Sequence, residues 1–143
     1  MKQYDLIIIG SGPAGLTAGI YAARYNLNFL IIGELFGGAI SEAHKICNFP
    51  TQNNITGFEL TKQLINHVKE LNAEIKQDKV IEINGSDNNF VVKKNKKKYK
   101  KKKIILATGR KKQKLNVKGE DEFLGKGISY CATCDAAFFK NKI

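Results

Sequence analysis

The sequence feature that most constrains the fold is a glycine-rich turn between an apolar run and a helical segment. Residues 4–9 (YDLIII) are branched and apolar, which is typical of a buried parallel strand. The motif GSGPAG follows at once at residues 10–15, and residues 16–25 have the spacing of an amphipathic helix. A second buried strand is predicted at residues 29–32. This order, within about thirty residues, predicts a mononucleotide-binding unit.

Each glycine of this motif has a separate role in a dinucleotide site. The first permits the tight turn, the second lets the backbone approach a pyrophosphate, and the third lets helix and strand pack closely. The N-terminus of the helix offers unpaired N–H groups to the phosphates. The predicted phosphate-binding residues are Gly10, Ser11, Gly12, Pro13, Ala14 and Gly15. A ribose-binding acid is expected about 20 residues further on, and Glu34 stands one position later than that expectation.

The remaining segments are predicted from periodicity and turn residues. Residues 33–56 form a long irregular segment, and residues 59–71 have the spacing of a helix. Residues 110–122 are polar and predict a linker. Strands are predicted at residues 73–76, 79–83, 90–94 and 99–107, with a turn at residues 85–88.

The net charge of +11 is a local property of the chain. Nine of the eleven residues from Lys93 to Lys103 are lysines, and without them the chain has 15 basic and 13 acidic residues. The run contains one aromatic residue, Tyr99, and no arginine, so it is poorly supplied for reading or stacking on bases. We expect a solvated hairpin and no nucleic-acid partner.

Composition favours a soluble protein of a reducing compartment. Hydrophobic residues make up 43% of the chain, but the apolar run at residues 6–9 is broken at once by the glycine motif. We therefore expect no signal peptide and no membrane association. Three cysteines do not make a disulfide scaffold, so a cytoplasmic location is expected.

A cysteine pair near the end of the chain carries the second chemical signal. Cys131 and Cys134 are three residues apart and Asp135 follows, which fits a redox dithiol with an acid–base group. The alternatives are half of a zinc site and an unlinked pair of thiols. Zinc would need two further ligands, and none of Cys47, His44 and His67 has a partner at metal spacing. We predict no metal.

Together these motifs resemble the N-terminal part of bacterial-type, low-molecular-weight thioredoxin reductase. The resemblance covers essentially the whole chain. It is carried by GSGPAGLTAGIYAAR at residues 10–24, GG at 37–38, NFP at 48–50, ATG at 107–109 and GISYCATCDAAFF at 127–139. The chain departs from the family at Ala39 and Cys47, where Gln and Glu are usual.

The resemblance implies an α/β fold: a Rossmann-like FAD-binding domain with a small antiparallel β insertion, plus the start of a second, NADPH-type domain. The expected division is residues 1–114 and 115–143. FAD would lie on the glycine motif, and electrons would pass from NADPH through FAD and the cysteine pair to thioredoxin. The further cofactor-binding residues implied are Gly37, Gly38, Asn48, Val80, Thr108 and Gly109.

The resemblance also implies roles for the cysteine pair. Cys134 would face the flavin, Cys131 would attack the thioredoxin disulfide, and Asp135 would be the acid–base residue. The family is usually homodimeric. Because the chain has one glycine-rich nucleotide loop and no NADPH loop, we expect an N-terminal fragment that is inactive alone. The alternatives are a related flavin disulfide reductase that serves a peroxidase or ferredoxin partner, and a non-catalytic truncated remnant.

Overall fold

The computed structural model describes residues 3–86, 89–94, 97–111 and 113–141. The chain divides into two compact units, residues 1–109 and residues 110–143. The first unit contains β1 (Gln3–Ile9), α1 (Pro13–Arg24), β2 (Phe29–Gly33), α2 (Gly57–Glu70), β3 (Glu74–Gln77), β4 (Glu82–Ser86), β5 (Asn89–Lys94) and β6 (Lys97–Leu106). The second contains α3 (Glu120–Phe123) and α4 (Ala132–Asp135). Short 3-10 segments span Gly38–Glu42 and Ala136–Phe139.

Within the described residues, the strands form one six-stranded sheet in the order β3-β2-β1-β6-β5-β4. Strands β3, β2, β1 and β6 are parallel, whereas β4, β5 and β6 are joined by antiparallel pairing. The strand before the ATG motif therefore returns to the centre of the sheet beside β1, with Ile9 opposite Leu106. The predicted fold class, a Rossmann-like sheet with a small antiparallel insertion, is confirmed.

Each face of the sheet has its own hydrophobic cluster. On one face, Ile8 and Ile31 are fully buried against Leu16 of α1 and Val68 of α2. On the other face, Ile7 and Leu30 pack with residues of the antiparallel hairpin, among them Val92 and Tyr99. Because β1 and β2 are buried on both faces, they read as unbroken apolar runs in the sequence.

Helix α1 begins earlier than predicted. It starts at Pro13 and not at residue 16, so half of GSGPAG belongs to its first turn. Proline is well suited to the first position of a helix, because its fixed φ is helical and the N–H it lacks would be unpaired there.

Strand β4 begins later in the chain than the sequence pattern predicts. The strand expected at residues 79–83 begins at Glu82, and Gly85 and Ser86 lie within β4 instead of in a turn. The Asp78 N–H bonds to the Gly33 carbonyl at 2.9 Å, which holds the chain beside the end of β2. Val80 then packs against the core formed by β1 and β2, so this segment crosses the sheet before it pairs.

The lysine-rich run is a hairpin, as predicted, but it is mostly strand. Lys93 and Lys98 are paired across β5 and β6, and the Lys93 ammonium forms an ion pair with Glu82 at 2.7 Å. The Lys102 ammonium lies 3.3 Å from Asp5. Tyr99 is the buried aromatic of the run, and its ring packs against Tyr4 with a centroid distance of 6.0 Å. Among the residues described, none belongs to a helix that is long and apolar enough to cross a membrane.

Candidate cofactor and disulfide-exchange sites

The glycine motif is held between β1, β6 and α1 with no room for side chains. Gly10 has a φ of +117°, and a Cβ there would lie 2.0 Å from the Ala107 carbonyl oxygen. A Cβ at Gly15 would lie 2.0 Å from the Gly10 carbonyl oxygen. Residues 10 and 15 are therefore glycine for structural reasons, as the motif predicts.

Gly12 is different, because a Cβ there would make only ordinary van der Waals contacts. A Cβ there would have the Gly37 carbonyl oxygen at 3.6 Å and the Gly38 Cα at 4.0 Å as its nearest neighbours. Gly12 is the N-cap of α1 and offers no side-chain capping bond to the helix. No side chain therefore caps the N-terminus of this 12-residue helix, and the unpaired amides of an uncapped helix N-terminus suit a phosphate.

The Gly37–Gly38 pair packs against the glycine motif, and we call the backbone surface formed by Gly12, Gly37 and Gly38 the glycine cradle. The Gly37 N–H donates to the Ser11 carbonyl at 2.8 Å, and the Ser11 hydroxyl donates to the Leu35 carbonyl at 3.0 Å. Gly37 has a φ of +81°, and a Cβ there would lie 2.1 Å from the Thr61 hydroxyl oxygen. The sequence prediction that these two glycine segments belong to one site is consistent with this packing.

A cleft of about 230 Å³ continues from the glycine motif along the carboxyl ends of the parallel strands. Four predicted cofactor residues line it: Gly10, Glu34, Val80 and Thr108. The Glu34 carboxylate lies 3.5 Å from the Lys79 ammonium, and both side chains are exposed. Glu34 therefore lies at the cleft in spite of its late position in the sequence. Open α/β sheets bind ligands at this edge.

Two predicted residues outside the two glycine segments, Asn48 and Gly109, do not line the cleft. Asn48 is exposed in the segment between the bridge residues Ile46 and Phe49, and it is not among the described residues that line the cleft. Gly109 follows Thr108 with a φ of +68°, and its Cβ position is open. The structure therefore brings the glycine segments, Glu34, Val80 and Thr108 together, whereas Asn48 and Gly109 are not among the described residues of the cleft lining.

The cysteine pair lies in the second unit at a short helix. Cys131 is the N-cap of α4 and is half-buried, and the Asp135 N–H donates to the Cys131 carbonyl at 3.0 Å. The backbone of Cys134 lies in the same helix. The motif therefore holds Cys131 and Asp135 one helical turn apart.

Sequence reasoning missed a serine beside this motif. The Ser129 hydroxyl donates to the Asp135 carboxylate at 2.5 Å and accepts the Cys131 N–H at 3.0 Å. A serine two residues before a cysteine pair gives no recognisable sequence signal, because the bond to Asp135 depends on the chain turning at α4. Thr61, which packs behind Gly37, was missed because the two residues are far apart in sequence.

A buried carboxylate fixes the segment that precedes the cysteine pair. Glu120 is 5% exposed; it accepts a hydrogen bond from the Tyr130 hydroxyl, and its other oxygen accepts the Asn116 N–H at 2.6 Å. The Tyr130 oxygen in turn accepts the Leu115 N–H at 2.8 Å. The bond from Tyr130 holds the pKa of the Glu120 carboxyl below its usual value, and Glu120 raises the pKa of Tyr130.

The other cysteine and histidine residues do not extend the site. Cys47 is a free cysteine on the surface of the first unit. In the part of the chain that the structure describes, no group of three His, Cys, Asp or Glu side chains could hold a metal ion.

Residues 4–142 match the pyridine nucleotide-disulphide oxidoreductase family, and the chain belongs to this family. Among its relatives, a thioredoxin reductase of Buchnera aphidicola subsp. Acyrthosiphon pisum is 43% identical over 144 residues, which cover 99% of this chain and 45% of that protein. The predicted resemblance to thioredoxin reductases is confirmed.

Solved structures agree with this assignment. The crystal structure of thioredoxin reductase from Streptococcus pyogenes superposes with a TM-score of 0.83 at 39% identity, covering 95% of this chain and 45% of that one. A ferredoxin-flavin thioredoxin reductase from Clostridium acetobutylicum gives a TM-score of 0.74 at 40% identity, covering 97% and 48%. The chain therefore spans about half the length of the relatives it matches.

Proposed function

We propose that this chain forms the FAD-binding and disulfide-exchanging part of a flavin-dependent thioredoxin-disulfide reductase. The observation that carries the proposal is the glycine cradle, in which the backbone of Gly12 faces Gly37 and Gly38 with no side chain between them. A pyrophosphate needs this close approach of the backbone, and the open N-terminus of α1 supplies N–H donors for it.

The residues of the first unit fit FAD. The loop from Gly10 to Gly15 would hold the pyrophosphate, Glu34 would accept hydrogen bonds from the ribose, and Val80 would pack beside the adenine. The further residues proposed to line the cofactor are Gly37, Gly38, Asn48, Thr108 and Gly109. When bound, FAD supplies the capacity to accept a hydride from NADPH and to pass two electrons to a disulfide.

The cysteine pair would carry out the exchange with the partner protein. The Cys131 thiolate attacks one sulfur of the thioredoxin disulfide, forming a mixed disulfide and releasing one thioredoxin thiolate. Cys134 then attacks the sulfur of Cys131, forming the Cys131–Cys134 disulfide and releasing the second thiolate. Asp135 would protonate the leaving thiolates. The dithiol loses two electrons, and the thioredoxin disulfide gains them.

Trapping the mixed disulfide tests this proposal. The Cys134→Ala chain is reduced, desalted and mixed with oxidised thioredoxin, and the products are separated on a non-reducing gel. We expect a covalent one-to-one adduct that dithiothreitol reverses. The double variant Cys131→Ala/Cys134→Ala, which keeps Cys47, is the matched control. An adduct formed equally by this control, or none with Cys134→Ala, would contradict the proposed roles.

A second candidate differs only in the electron donor. The similarity to a ferredoxin-flavin thioredoxin reductase favours a flavin enzyme that ferredoxin reduces in place of NADPH. Reduction of thioredoxin by the gene product that carries these residues, with NADPH or reduced ferredoxin as the sole donor, separates the two.

The homodimeric state and the cytoplasmic location stay proposals, to be tested by light scattering and cell fractionation.

A further inference from the structure

One hydroxyl group links the proposed acid–base residue to the proposed attacking cysteine. The Ser129 oxygen accepts the Cys131 N–H at 3.0 Å and donates its proton to Asp135 at 2.5 Å. The Asp135 N–H bonds in turn to the Cys131 carbonyl at 3.0 Å. Both backbone groups of Cys131 are therefore linked to Asp135. The Cys131 carbonyl bonds directly to the Asp135 N–H, and the Cys131 N–H is linked to the Asp135 carboxylate through the Ser129 hydroxyl.

The segment that carries Ser129 is held from its other side. Tyr130, the next residue, donates its hydroxyl proton to the buried Glu120 and accepts the Leu115 N–H at 2.8 Å. A hydrogen bond to a buried carboxylate is stronger than one between neutral groups. The backbone at residues 129–131 is thus fixed independently of Asp135, and Ser129 can act as a firm anchor for that carboxylate.

We propose that Ser129 is a positioning residue that holds the Asp135 carboxylate for proton transfer at Cys131. The inference rests on the proposed function, in which Asp135 protonates the thiolate that leaves when Cys131 attacks a disulfide. A general acid needs a defined position, because proton transfer occurs only within hydrogen-bonding reach. Without the hydroxyl of Ser129, Asp135 would lose one of the two bonds that tie it to Cys131.

Leaving groups of different basicity distinguish this role from simple structural support. The reduced chain is mixed with hydroxyethyl disulfide, whose alkyl thiolate is basic and needs a proton as it leaves. It is also mixed with an aromatic disulfide, whose thiolate leaves readily without one. We expect Ser129→Ala to slow the first reaction about tenfold and to leave the second unchanged, and Ser129→Thr to restore the rate. Proton transfer as a whole contributes about 10²-fold or more, so a tenfold loss corresponds to a displaced acid.

The coupling between the two residues gives an independent readout. Asp135→Asn should slow the reaction with hydroxyethyl disulfide more than Ser129→Ala does, and the double variant should be no slower than Asp135→Asn. Residues that act as a unit show such non-additivity. Ser86→Ala, on the exposed strand β4 of the first unit, makes the same chemical change outside the second unit and should have the wild-type rate. Far-UV circular dichroism is used to check that every variant is folded.

Each contrary result has a separate meaning. If Ser129→Ala slowed the reactions with both disulfides equally, the positioning role would be overturned. It would also be overturned if the effects of Ser129→Ala and Asp135→Asn on the rate were fully additive. If Asp135→Asn slowed the reaction with hydroxyethyl disulfide and Ser129→Ala did not, the inference would be overturned and the proposed function would stand. An unaffected Asp135→Asn would overturn both the inference and the acid–base role of Asp135, while trapping through Cys131 would still test the exchange itself.

Discussion

Replacing Gly15 by alanine tests whether the glycine motif is explained by packing. Gly15 lies in the first turn of α1, where helix propensity alone predicts that alanine stabilises the protein by about 1 kcal/mol. The structure predicts the opposite sign. The new Cβ would lie 2.0 Å from the Gly10 carbonyl oxygen and 2.9 Å from its carbonyl carbon. Both atoms are backbone, so no side-chain rotation relieves the contact.

The size of the effect follows from the required movement. A carbon atom packs against a carbonyl oxygen at about 3.3 Å or more, so helix and loop must separate by more than about 1 Å. Overpacking of this kind costs up to about 3 kcal/mol. After subtraction of the propensity gain, we expect Gly15→Ala to lower the free energy of unfolding by about 2 kcal/mol. With a slope of about 1–3 kcal/mol/M, the urea midpoint should fall by about 1 M.

Gly12→Ala is the matched control in the same motif. Its Cβ would meet nothing nearer than 3.6 Å, and the φ of Gly12 is −78°, which suits any residue. Alanine is a poorer N-cap than glycine, but it also restricts the unfolded chain, and the two effects nearly cancel. Urea unfolding followed by circular dichroism at 222 nm should place this variant within about 0.5 kcal/mol of the wild type. A Gly15→Ala protein at least as stable as the wild type would refute the packing argument.

Two further predictions concern stability away from the glycine motif. Thr56→Ala removes the N-cap of α2, whose side chain accepts the Glu59 N–H, and should lower the free energy of unfolding by about 1 kcal/mol in urea melts. Tyr130→Phe removes the hydrogen bond to Glu120, whose carboxyl pKa is held below its usual value. The contribution of Glu120 is therefore complete above its unfolded pKa of about 4.3 and is lost as the pH falls through the lower, folded value. The stability difference between wild type and Tyr130→Phe should accordingly shrink in acid, and a constant difference from pH 7 to pH 3 would contradict this reasoning.

The sequence was informative wherever one local pattern decides the structure. The unbroken apolar runs of β1 and β2 are visible because both faces of these strands are buried, and GSGPAG has a meaning set by its own backbone geometry. The strand predicted at residues 79–83 begins only at Glu82, because the position of Val80 depends on a core assembled from distant strands. Short alternating patterns do not fix where pairing begins.

The residues of the candidate sites also differ in how far the sequence predicts them. Gly37 and Gly38 could be assigned to the cofactor site only through the family resemblance, since their bond to Ser11 joins segments that are separate in sequence. Ser129 could not be found at all, because its hydroxyl bonds to a carboxylate six residues later in the chain. Hydrogen bonds of single polar side chains leave no periodic signal in a sequence.

Titration of the chain with FAD shows whether the glycine segments bind the cofactor. Binding is measured by isothermal calorimetry and by the change in flavin fluorescence, with wild-type and Gly12→Ala proteins side by side. We expect one FAD per wild-type chain. We also expect at least about tenfold weaker binding by Gly12→Ala, whose methyl group would face Gly37 and Gly38, at nearly unchanged stability. Equal FAD affinities for the two proteins, or no binding by a folded wild-type chain, would contradict the account.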